Sequence, residues 1–150
     1  MKKNTICIML SLFTIVVLSL PITGVFATKP VHITATGGPP SIIPTVVKTA
    51  GPNTFFTAVG TGSYTGDMEG TTEATHLWHM KKDGSINMII EVVFTGSVLG
   101  ESGSITMICK GNTEGTVRWT IVSGTGDLAN LRGVGTLGPG WFEGYVHFDP

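Results

Sequence analysis

From Thr54 onward the chain is written in short runs rich in Thr, Val, Ile and aromatic residues, with a glycine about every ten residues. Within the runs apolar and polar positions alternate with the two-residue period of a β-strand, and regular spacing of such runs indicates a sandwich or barrel. The pattern predicts strands near 54–62, 67–80, 86–97, 103–111, 115–122, 133–138 and 142–148. Only 127–131 reads as helical, and it is about one turn long. Residues 28–53 differ: they hold five of the eight prolines and read as a Pro/Gly-rich arm with one strand at 31–36.

Turn chemistry predicts which residues face each other across the central hairpins. A two-residue turn at Asp83-Gly84 sets Glu73 opposite Phe94, Thr75 opposite Val92, His76 opposite Glu91 and Leu77 opposite Ile90. A second tight turn at Gly100-Glu101 and a three-residue loop at 112–114 then align Phe94 with Met107 and Trp119, and Val92 with Cys109 and Val117. The predicted inner face therefore carries Glu73, Leu77, Ile90, Val92, Phe94, Ile105, Met107, Cys109, Val117, Trp119 and Ile121. The predicted outer face carries a solvated charge row of His76, Glu91, Lys110 and Thr116. It also carries an apolar patch of Trp78, Ile89, Val93 and Ile108, a candidate surface for homo-oligomer contact or for cover by the N-terminal arm. On the last strand, parity turns Phe142, Val146 and Phe148 inward and Trp141, Tyr145 and His147 outward.

The first residues change the picture of where the protein works. Lys2 and Lys3, an apolar run from Ile6 to Leu20 and Val25-Phe26-Ala27 form the charged, apolar and cleavage regions of a signal peptide spanning residues 1–27. The run is shorter than the ~20 residues a membrane-spanning helix needs, so a secreted, extracytoplasmic protein without a stable anchor is expected. Cleavage removes two of nine basic residues and none of ten acidic ones, leaving a mature charge of −3. Such a chain has no basic face with which to displace counterions from nucleic acid. Cys7 leaves with the signal, so Cys109 stands alone and the barrel domain, 54–150, is held by its core.

The segments Gly66-Asp67-Met68-Glu69-Gly70-Thr71-Thr72, Asp83-Gly84-Ser85, Phe94-Thr95-Gly96, Ser102-Gly103-Ser104 and Gly124-Thr125-Gly126-Asp127-Leu128-Ala129-Asn130-Leu131-Arg132-Gly133 occur in a familiar order. The chain resembles an uncharacterised bacterial family with an allene oxide cyclase-like barrel, the superfamily of allene oxide cyclases and dirigent proteins. That resemblance spans roughly 66–149 and implies an all-β, eight-stranded antiparallel closed barrel with an apolar cavity, assembled into trimers in the plant relatives. It brings no activity with it. The segment starting at Gly124 also fits a dinucleotide fingerprint on paper, but the crossover helix and the later acidic residue of that fold are missing.

Few residues offer chemistry. Glu73, placed inside among Phe94, Met107 and Trp119, would lose its water and become a candidate proton carrier; a solvated position at the rim, or a pair with Arg132, is the plainer alternative. Glu69 lies ~13 Å along the same strand, too far to act with Glu73 as a glycosidase pair. Cys109 reads as a packed thiol, since nothing electropositive surrounds it. His76 and His79 point to opposite faces, and His147 with Asp149 is too few ligands for zinc, so neither metal nor cofactor is expected. Ser123 lacks a nucleophile-elbow frame. The sequence thus predicts a small apolar ligand held by Glu73, Val92, Phe94, Met107, Cys109, Trp119 and Ile121. The alternatives are an isomerase or cyclase using the interior carboxylate, and a filled, purely structural barrel.

Overall fold

The computed structural model describes residues 28–38, 42–112 and 116–150; the predicted signal peptide lies outside the described residues. Nine strands follow one another: β1 (Val31–Gly38), β2 (Thr45–Ala50), β3 (Asn53–Gly66), β4 (Met68–Met80), β5 (Ile86–Val98), β6 (Glu101–Asn112), β7 (Val117–Gly126), β8 (Leu131–Gly138) and β9 (Trp141–Phe148). All pairings are antiparallel. The second half of β3 pairs with β1, whose other edge pairs with β9, so β1 and β3 to β9 close into an eight-stranded barrel. The first half of β3 runs beyond the closure and carries β2 as an extra strand. The Pro/Gly-rich arm therefore supplies the strand that completes the barrel. No helix occurs among the described residues. The expected helical turn is a pair of tight turns at Thr125–Leu128 and Gly126–Ala129, with Leu128 driven into the barrel end.

The β4–β5 hairpin corrects the predicted register. Lys81 N–H donates to Ser85 O, Gly84 N–H donates to Lys81 O, and Gly84 is left-handed at φ 81°. This is a three-residue loop closed by a glycine bulge, the commonest alternative to a two-residue turn. Asp83 Oδ1 locks it by accepting from Ser85 N–H and Oγ–H, at 2.9 and 2.7 Å. The extra loop residue slips β4 by one position against β5, and one position reverses every side chain. His76 thus pairs with Ile90, Ala74 with Val92 and Thr72 with Phe94. Met68, Thr72, Ala74 and His76 point inward, whereas Glu73 and Leu77 face solvent.

The other two hairpins differ from expectation by two positions and so keep their faces. The tight turn is at Leu99-Gly100, not Gly100-Glu101, and pairs Val92 with Met107 and Phe94 with Ile105. The β6–β7 loop, partly outside the described residues, pairs Cys109 with Trp119 and Met107 with Ile121. The predicted parity of β9 also holds, with Phe142 and Val146 buried and Tyr145 exposed.

The inner face fills one end and the middle of the barrel. Met68, Phe94, Val98, Ile105, Leu128, Leu131 and Ile33 close that end. In the middle the Trp119 and Phe142 rings stack at 4.4 Å and 13°, and Tyr64 tilts onto Phe142 at 5.4 Å. The Trp119 ring can lie flat against the wall because Gly135 and Gly144, paired across β8 and β9, leave room for it. A Cβ at Gly144 would overlap both the ring edge and the Val134 carbonyl oxygen. Gly144→Ala is expected to destabilise the fold by about 1–3 kcal/mol, the usual cost of overpacking, as a lowered urea midpoint.

Candidate functional site

The open end of the barrel holds a cavity of about 830 Å³. Its wall is Ile90, Val117, Met88 and Leu137, its base includes Tyr64 and His76, and Trp78 and Trp141 stand at the rim with Ile42 of the β1–β2 connection. The slipped β4 register creates this arrangement. It turns His76 and Trp78, two positions apart on one strand, to the same inner side. His76 sits between the small Ala58 on β3 and Ile90 on β5, and is only 3% exposed. Its ring meets that of Trp78 edge-on, at 5.8 Å and 90°.

Neither imidazole nitrogen of His76, nor the indole Nε1 of Trp78, has a hydrogen-bond partner, and all three atoms are shielded from solvent. The contrast with other ring nitrogens of the chain is chemical. Trp119 Nε1–H is shared by the Thr136 and Glu143 carbonyls at 3.1 Å each, His79 Nε2 meets Asn53 Oδ1 at 3.0 Å, and His147 Nε2 meets Asp149 Oδ1 at 3.1 Å. A buried polar group left without a partner costs about 1–3 kcal/mol, so three of them are a substantial load on a domain stable by about 5–15 kcal/mol.

The cavity is electrically neutral near pH 7. Among the described residues lining it there is no Asp, Glu, Lys or Arg. Burial holds the His76 imidazole below its ordinary 6.5, and burial together with the nearby Cys109 sulfur pushes the Tyr64 phenol to about 12. Burial also raises the Cys109 thiol to about 12, which keeps it protonated and inert. Because the folded-state pKa of His76 is depressed, acidification below 6.5 protonates it first in the unfolded chain, and stability falls as pH drops toward the folded value. His76→Leu should flatten the acid limb of a stability–pH profile by up to about 1.4 kcal/mol per pH unit, read by urea unfolding of both proteins across that window.

The profile of a family described as "Protein of unknown function (DUF3224)" matches residues 43–139. The chain belongs to this family. The crystal structure of a DUF3224 protein of unknown function from Shewanella oneidensis MR-1 superposes with a TM-score of 0.69 at 19% identity, covering 81% of this chain and 100% of that one. At that identity the likeness shows a shared fold. No curated protein matches.

In this DUF3224 protein the residues predicted for the ligand site do not line the cavity. Glu73 is outside, because β4 is slipped, and Arg132 pairs instead with Asp149 at 3.1 Å. Val92, Phe94, Met107, Cys109, Trp119 and Ile121 do point inward, but they are the packed interior beyond the cavity. Of the predicted outer charge row, Glu91, Lys110 and Thr116 are exposed, whereas His76 is buried. Of the predicted outer patch, Ile89, Val93 and Ile108 are on the outer face; Trp78 is not, and Leu77, 49% exposed beside Ile89 at 48%, takes its place. Among the described residues no cluster of three metal-ligating side chains occurs. The signal that could have found His76 is Glu73 itself: leaving that carboxylate in water turns Thr72, Ala74 and His76 inward.

Proposed function

We propose that this DUF3224 protein is exported and binds a small, largely apolar ligand in the mouth of its barrel. The observation that carries the reading is the cavity of about 830 Å³, largely apolar-walled and lined by His76 and Trp78, whose ring nitrogens have no partner, within the ~300–1,000 Å³ range of small-molecule sites. The resemblance to allene oxide cyclase-like barrels, which implies an apolar cavity, supports it. Export rests on the signal-peptide pattern of residues 1–27; all nine strands lie beyond it, and Thr28 is tied to Phe148 by its N–H at 3.1 Å, so cleavage after Ala27 leaves the barrel whole. Catalysis by an interior Glu73 is excluded from this reading because that carboxylate is in solvent.

Native mass spectrometry of the protein purified from its own source tests the proposal. A mature chain starting at Thr28 with a retained small molecule is expected; a chain that keeps residues 1–27 contradicts export, and empty protein contradicts the ligand. The same spectrum reads subunit number. Self-association through Leu77, Ile89, Val93 and Ile108 is a separate proposal, favoured by the exposed Leu77–Ile89 cross-strand pair.

A further inference from the structure

The three orphaned nitrogens specify more than an apolar site. A neutral imidazole offers one N–H donor and one acceptor nitrogen, and an indole offers a donor alone. Two donors and one acceptor thus lie at alternate positions of β4, shielded from solvent as the two rings now stand, in a wall whose other polar side chains are Tyr64, Asn112 and Thr116. A carboxylate or an ammonium placed there would meet no opposite charge from any described lining residue, and an unpaired buried charge is far costlier than a neutral dipole. Resting on the reading of this cavity as a ligand site, we propose that its ligand carries an uncharged head group that both donates and accepts hydrogen bonds, such as an alcohol, and that His76 and Trp78 hold that head.

The geometry gives each residue a role. Trp78 Nε1–H donates to the head oxygen, and the acceptor nitrogen of His76 takes the head's own O–H. The apolar body lies toward Ile90, Val117 and Leu137. Because the three nitrogens are shielded from solvent, the rings rotate within the cavity to meet the head, so binding is accompanied by a change at the Trp78 indole. Trp119 is an internal control, since its N–H is already committed to two backbone carbonyls.

A matched set of probes tests this: naphthalene, 2-naphthalenemethanol and 2-naphthoate, titrated by calorimetry into the mature protein near neutral pH. The alcohol is expected to bind about 10-fold tighter than naphthalene, and the anion no tighter than naphthalene. In ¹H–¹⁵N spectra the alcohol should move the Trp78 indole N–H resonance downfield and leave that of Trp119 in place. Trp78→Phe and His76→Leu should each remove the alcohol's advantage, bringing the ratio of alcohol to naphthalene affinity measured on the same variant close to one. Trp78→Phe keeps the test open if the histidine variant folds poorly. Equal affinity of alcohol and hydrocarbon, or tightest binding by the anion, overturns the head-group assignment and leaves the ligand site standing. Failure of every probe to bind overturns both.

Discussion

Trp119→Ala is expected to destabilise the barrel by about 3–5 kcal/mol, the range for removing a buried large aromatic side chain. Trp119 is among the largest fully buried side chains, and three contributions end with it. Its ring stacks on Phe142, it lies against the ledge of Gly135 and Gly144, and its N–H joins the Thr136 and Glu143 carbonyls of the neighbouring β8 and β9. On the glycine side the surroundings are barrel backbone, which cannot collapse into the hole as flexible side chains would. Trp119→Phe keeps much of the stacking and loses the two hydrogen bonds, so its cost should be smaller, about 1–3 kcal/mol. Urea unfolding followed by circular dichroism checks both values. A loss below about 1 kcal/mol for the alanine variant would show that the middle of the barrel is not packed as described.

The second large effect is on binding. Met88 and Leu137 are half-buried on the cavity wall, so larger side chains can grow into the open space without displacing the packed interior. Met88→Trp combined with Leu137→Trp is expected to lower naphthalene affinity about 10- to 100-fold by occupying the site sterically. Because neither residue belongs to the fully buried set, stability should stay within about 1 kcal/mol of the parent protein. Retained affinity in the double variant would place the probe somewhere other than the mouth.

The architecture was legible in the sequence because glycine punctuation and two-residue alternation are local signals. The inner faces of β5, β6, β7 and β9 follow from that alternation, and a two-position error at the Leu99-Gly100 turn left them unchanged. The site was not legible, and the reason is a single residue in the Asp83-Gly84 loop. Asp-Gly serves both the two-residue turn and the three-residue turn with a glycine bulge. The choice between them decides whether Glu73 or His76 enters the barrel. Apolar content did not arbitrate, since β4 has Leu77 on one face and Trp78 on the other. Burial cost does, because a carboxylate loses more on leaving water than a neutral imidazole does. Closure by β1 was hidden for another reason: the strand at 31–36 is legible, but its pairing with β3 and β9 is long-range, and the prolines and glycines that follow it read as an arm outside the barrel. The cavity itself depends on where packing stops along the barrel axis, which alternation along a strand does not encode.

Crystals of the mature protein soaked in 1-bromonaphthalene show where a small apolar molecule goes, because anomalous scattering locates bromine without interpretation of the surrounding density. A bromine peak is expected in the barrel mouth, among Trp78, Ile90 and Val117. Bromine found only on the outer Leu77–Ile89 face, or absent from the mouth at full soak, would contradict the proposed ligand site.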